Sequence, residues 1–128
     1  MNKILVVDDN ATNRKLLRVI LQSVGYETIE AEDGQQGIEL ARDLMPALII
    51  MDIQMSVMSG NEALKILKSE QALCKIPVIA LTSYAMAGDK EKFLGEGFDS
   101  YIEKPVDQKK LLETIESLLK GKTYGRNT

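Results

Sequence analysis

Three short apolar runs, Ile4-Leu5-Val6-Val7, Leu48-Ile49-Ile50-Met51 and Val78-Ile79-Ala80-Leu81, constrain this chain more than any other feature. None alternates apolar with polar residues, so each reads as a strand covered on both faces, the pattern of a parallel sheet interior. Two more polar segments, Glu27 to Ala31 and Ser100 to Glu103, read as edge strands. Between the strands, apolar residues recur at helical spacing. Residues 12–24 carry Leu16, Leu17, Ile20, Leu21 and Val24, and residues 60–68 carry Ala63, Leu64 and Leu67. Residues 34–44 carry Ile38, Ala41 and Leu44 and should stop before Pro46. Residues 86–96 hold the weakest pattern, built on Phe93 and Leu94. Residues 107–120 carry Leu111, Leu112, Ile115, Leu118 and Leu119 behind Asp107, a good N-cap.

Strand and helix thus alternate five times, which requires a parallel α/β sheet with helices on both faces. The expected domain is a doubly wound (βα)5 sheet over residues 1–120, followed by a polar C-terminal tail, 121–128, expected to fray. A length of 128 residues leaves no room for a second domain, and 45% hydrophobic residues suffice for one core.

Composition removes several functions. A net charge of −3 disfavours duplex nucleic acid as a direct partner, and Lys109-Lys110, with Lys104 nearby, reads as a solvated helix face. The single cysteine, Cys74, forms no internal disulfide and reads as a small semi-buried residue. Without histidine there is no Ser-His-Asp chemistry, no histidine zinc site and no phosphohistidine on this chain. No apolar run reaches the length of a membrane span or of a signal-peptide core, so a cytoplasmic location away from membranes is expected.

The commonest doubly wound order for five strands, 2-1-3-4-5, opens its ligand crevice between strands 1 and 3 at their carboxyl ends. Taking that order, strand 1 delivers Asp8 and Asp9 there, strand 3 delivers Asp52, and strand 4 ends in Thr82-Ser83. Lys104 follows strand 5. One aspartate at a strand end is usually a cap or turn residue, but five chemically matched residues at adjacent strand ends form a site. Carboxylates without His or Cys favour a hard cation, Mg²⁺, which keeps several waters and attracts a phosphoryl group. Lys104 adds a second positive charge and Thr82 a hydrogen-bond donor. Asp52, between the acidic pair and Thr82, is the best-placed nucleophile.

The elements Ile4 to Asp9 (ILVVDD), Ile49 to Ile53 (IIMDI), Met58-Ser59-Gly60, Leu81-Thr82 and Glu103-Lys104-Pro105 resemble the response-regulator receiver family over residues 3–120. Thr82 to Asp89 (TSYAMAGD) and Tyr101 to Pro105 are similar to its single-domain cell-division regulators. The resemblance implies a flavodoxin-like fold and a two-component phosphorelay in which Asp52 takes phosphate from a histidine kinase or histidine phosphotransfer protein. It implies Mg²⁺ ligation by Asp9, Asp52 and the backbone carbonyl of Gln54, with Asp8 acting mainly through water. Lys104 would pair with the phosphoryl oxygens, Thr82 would move to bond one of them, and Tyr101 would swing inward. Output would pass to a protein target through the face formed by the fourth helix, fifth strand and fifth helix. A cis Lys104-Pro105 bond is also implied.

Three rival readings are weaker. A haloacid-dehalogenase-type phosphatase spaces two aspartates by one residue, whereas Asp8 and Asp9 are contiguous. A flavin-binding module needs a glycine- or hydroxyl-rich loop where this chain has Asp8-Asp9-Asn10. A docking-only pseudo-receiver would not need the complete acidic set with Lys104. The expected protein is therefore a phosphoacceptor switch, not an enzyme acting on a second substrate. Met51, Met55, Met58 and Met86 read as packing residues.

Two departures from the family pattern matter. Ser56 stands where proline is usual in the family, so a more mobile loop from Gln54 to Ser59 is expected. Gln54 and Tyr84, each two residues beyond a site residue, are large enough to shield an acyl phosphate from water, so slow self-dephosphorylation is expected. Gln54→Ala and Tyr84→Ala should each speed loss of the aspartyl phosphate in a single-turnover decay assay; unchanged decay in both would contradict the shielding.

Overall fold

The computed structural model describes residues 2–55, 58–83 and 89–127, without the side chains of Lys90 and of residues 121–127. Its strands are β1 (Lys3–Val7), β2 (Glu27–Ala31), β3 (Leu48–Asp52), β4 (Val78–Thr82) and β5 (Ser100–Glu103). All pair in parallel, in the order β2-β1-β3-β4-β5. Between and after them lie α1 (Ala11–Ser23), α2 (Gly34–Leu44), α3 (Gly60–Ser69), α4 (Asp89–Glu96) and α5 (Gln108–Asn127). The doubly wound order taken from sequence is the one observed.

The missing alternation in the inner strands now has its cause. Successive side chains of a strand point to opposite faces, and here both faces are core. Leu5, Val7, Ile49, Met51, Val78 and Ala80 face α2, α3 and α4, where Ile38, Ala63, Leu64, Leu67 and Phe93 cover them. Ile4, Val6, Leu48, Ile50, Ile79 and Leu81 face α1 and α5, beneath Leu17, Ile20, Leu21, Leu111 and Ile115. The polar strands β2 and β5 take the edges, as expected.

Local chemistry sets the helix ends. Asn10, Asp33, Ser59 and Asp107 each accept a hydrogen bond from the backbone N–H three residues on, satisfying an orphan donor of a first turn. Helix α2 stops at Leu44, where Met45 turns left-handed (φ 45°) ahead of Pro46.

Several expectations need correction. Leu16, Val24, Leu44 and Leu94, placed on apolar faces by their spacing, are exposed, Leu16 by 46% and Val24 by 52%. Each lies at the margin of its stripe or at a helix end, where the described residues leave it only partly covered. Helix α5 runs to Asn127, past the end expected at residue 120. The two glycines of that segment cost about 1 kcal/mol each, and no proline interrupts it. Helix α4 begins at Asp89; the remainder of its expected span falls in 84–88, outside the described residues.

One contact brings the sheet and α3 unusually close. A Cβ on Gly60 would lie 2.5 Å from the Asp52 carbonyl oxygen and 3.0 Å from the Ile53 Cα, so only glycine lets α3 begin there. Gly60→Ala must push backbone away from backbone. It should lower unfolding free energy by about 1–3 kcal/mol, read as a lower urea midpoint at unchanged m-value; an unchanged midpoint would contradict the close approach.

Candidate functional site

The sheet ladder places the charged residues side by side. Val7 pairs with Met51, Asp52 with Leu81 and Thr82 with Glu103. Beyond the strands the ladder continues: Asp8 N–H donates to the Ala31 carbonyl (3.1 Å), Ile53 N–H to Leu81 (3.0 Å) and Lys104 N–H to Thr82 (2.8 Å). Asp8, Asp52 and Thr82 therefore converge with Lys104 at the carboxyl edge. All three are buried, Asp8 completely, whereas Asp9 is exposed.

Carboxylate oxygens of Asp8, Asp9 and Asp52 lie within 4.8 Å of one another. Asp52 Oδ1 accepts from the Gln54 N–H (3.1 Å) and Oδ2 from Lys104 Nζ (3.1 Å). Asp8 Oδ1 accepts from the Asn10 N–H (2.9 Å). Among the described residues Asp8 Oδ2 accepts no hydrogen bond, and its nearest cation is Lys104 Nζ at 3.6 Å, ion-pair range without hydrogen-bond contact. Such a buried orphan is uncommon and asks for a missing positive partner. One ammonium among three carboxylates leaves two negative charges unbalanced. The oxygen-only donor set fits a hard divalent cation.

Burial raises the Asp52 carboxyl above the ordinary aspartate range. The Gln54 N–H opposes that rise, the Asp8 charge adds to it, and the Lys104 hydrogen bond and charge partly offset it. Ionising Asp52 consequently disfavours the folded state. For a carboxyl raised on folding, its contribution to stability is full below the ordinary aspartate range and is lost as pH rises through the raised value. The scaffold tolerates this charge, and a cation would relieve it.

Other expected residues fall where the ladder sets them. Tyr101 on β5 is half-buried, its ring 5.8 Å from that of Phe93 on α4. Gln54 is exposed just beyond Asp52, and the Lys104-Pro105 peptide is cis. Met51 is buried, while Met55 and Met58 pack half-buried against the α2–α4 side of the core. Cys74 is half-buried, its Sγ 3.5 Å from the Gln71 carbonyl. Tyr84, Ser56 and Met86 lie outside the described residues. A shallow cavity of about 450 Å³, lined by residues including Lys3, Met45 and Lys75, sits at the opposite, amino-terminal edge of the sheet. It brings together none of this chemistry.

Two contributors were not read from sequence. Asn10 caps α1 and its N–H holds Asp8. Arg14 Nη1 donates to the Asp8 carbonyl (2.8 Å). The available signal was its place: Arg14 stands in helical register with Leu17 and Leu21, a charged residue on a buried stripe.

Residues 4–116 match the response regulator receiver domain family. The polar-differentiation response regulator DivK of Brucella ovis is 44% identical over 116 residues, covering 91% of this chain and 94% of that protein. The chemotaxis protein CheY4 of Vibrio cholerae superposes with a TM-score of 0.86 at 30% identity, covering 92% of this chain and 98% of that one. The receiver domain of the sensor histidine kinase PA1611 from Pseudomonas aeruginosa, solved with a magnesium ion coordinated in its active site cleft, gives 0.84 at 30% identity, over 92% and 97% of the two chains. This chain belongs to the response regulator receiver family of two-component signalling, and its fold is that of the family.

Proposed function

We propose that Asp52 is the phosphoacceptor of a magnesium-dependent switch, taking its phosphoryl group from the phosphohistidine of a partner kinase or phosphotransfer protein. The observation that carries this is the pairing of a buried, lysine-held Asp52 with the orphaned Oδ2 of Asp8. A carboxylate oxygen of Asp52 forms the bond to phosphorus as the P–N bond breaks, and the electron pair leaves on the imidazole nitrogen. Asp9, Asp52 and the Gln54 carbonyl would hold Mg²⁺, with Asp8 mainly through water. When bound, the ion neutralises charge on the transferring group. Lys104 is close enough to shift from Asp52 to the new phosphoryl oxygens, and the Thr82 hydroxyl supplies a further donor.

Phosphate shifts a conformational equilibrium only through interactions that differ between two states. Lys104 and Thr82 lie at the ends of β5 and β4, and Tyr101 lies on β5 against Phe93 of α4. A displacement of Thr82 is thereby connected to the α4-β5-α5 face, which we assign to the downstream protein target. The chain acts on no second substrate in this reading, and its setting is cytoplasmic. Among the described residues, no helix is long and apolar enough to cross a membrane.

Two measurements follow. Mg²⁺ needs the ionised Asp52, so protons compete with it from a pH at which an ordinary aspartate is still fully ionised. Calorimetric Mg²⁺ titration should show affinity beginning to fall, as pH is lowered, above the ordinary aspartate range; affinity that falls only within the ordinary range would contradict the raised carboxyl. With Mg²⁺ and a small acyl-phosphate donor, wild type should gain one phosphoryl group per chain and Asp52→Asn none. No gain by wild type, or equal gain by both, sinks the proposal.

A further inference from the structure

The acidic turn after β1 is held at three points, and only two belong to the turn and the sheet. Asp8 N–H is tied to Ala31 and Asp8 Oδ1 to the Asn10 N–H. The third is the Asp8 carbonyl, which accepts from Arg14 Nη1 at 2.8 Å. That carbonyl belongs to the planar peptide carrying the Asp9 nitrogen, so fixing its oxygen fixes the plane from which Asp9 departs. Asp9 has little else to orient it. Its side chain is exposed and has no hydrogen bond or ion pair among the described residues.

Arg14 is itself held. Its side chain is only 13% exposed; Nε lies 3.3 Å from Glu30 Oε1 and Nη2 3.9 Å from Glu32 Oε1. Arg18 Nη1 grips the other oxygen of Glu30 at 2.7 Å. Isolated surface pairs contribute little, but a planar guanidinium with fixed donors on both edges is well suited to orienting a peptide. The network runs from the edge strand β2 through α1 to the turn bearing two of the three carboxylates.

We propose that Arg14 is a positioning residue for the cation site. It sets the Asp8–Asp9 peptide so that both carboxylates face Asp52, and acts through them without touching the ion. This rests on the reading of Asp8, Asp9 and Asp52 as the magnesium site, and the test separates the two.

Mg²⁺ affinity is measured by calorimetry, and metal-free stability by urea unfolding, for wild type, Arg14→Met and Arg14→Lys. Methionine keeps the buried stem and loses the donor. Its Mg²⁺ affinity should fall roughly 10- to 100-fold, the scale seen when a metal ligand loses its supporting partner. Lysine keeps one donor and should recover most of that loss. Wild-type affinity in Arg14→Met, whatever its urea midpoint, overturns the proposal, because a purely structural arginine would change stability alone. Should Arg14→Met not fold, Glu30→Ala loosens the guanidinium without removing it. It should weaken Mg²⁺ binding by a smaller factor, and unchanged affinity overturns the proposal equally. If wild type binds no Mg²⁺, both the site reading and the role of Arg14 fall; if wild type binds and Arg14→Met binds equally, only Arg14 does.

Discussion

Like charges held together against their repulsion are the constraint on which this molecule is organised. Carboxylate oxygens of Asp8, Asp9 and Asp52 lie within 4.8 Å of one another. At an effective dielectric of about 20, each such pair repels by about 3 kcal/mol. Lys104 offsets part of this through its contacts at 3.1 Å with Asp52 and 3.6 Å with Asp8. The remainder is stored strain of an electrostatic kind, visible in the orphaned Asp8 Oδ2 and, after the larger effect of burial, in the raised Asp52 carboxyl. A cation would relieve it, and under the proposed function an incoming phosphoryl group would redistribute it.

Keeping such a cluster folded requires a rigid frame that places the charges without consulting them. Parallel register does this: the ladder hydrogen bonds at Asp8, Ile53 and Lys104 are made by backbone and would form with other side chains. The strands are anchored by apolar residues alternating between two cores, one under α1 and α5 and one under α2, α3 and α4. Gly60 lets α3 close against the end of β3, and Asn10 and Arg14 hold the turn after β1. Stability resides in the sheet and its covers, while the candidate site lies at one edge, where stability is given up.

Much of this was legible in the sequence because the signals were local. Unbroken apolar runs marked β1, β3 and β4, and polar composition marked β2 and β5 as edges. The aspartates, Thr82 and Lys104 stood at strand ends and needed only the strand order to be assembled. That order is set by pairing between distant segments, which no local pattern contains, and it had to be taken from the commonest doubly wound arrangement. Burial at stripe margins was illegible for a similar reason. Spacing puts Leu16 beside Leu17 on α1, but only the reach of neighbouring elements leaves Leu16 exposed and Leu17 buried. Arg14 escaped notice because a charged residue on a helix reads as surface, whereas its partners, the Asp8 carbonyl and Glu30, come from other segments.

The central claim is that Asp52, and not its acidic neighbours, receives the phosphoryl group. Reducing an acyl phosphate with borohydride converts the modified aspartate to homoserine, which peptide mass spectrometry locates. After treatment with Mg²⁺ and an acyl-phosphate donor, homoserine should replace Asp52 alone, and should be absent when Mg²⁺ is withheld. Homoserine at Asp8 or Asp9, or at no aspartate at all, would contradict the account.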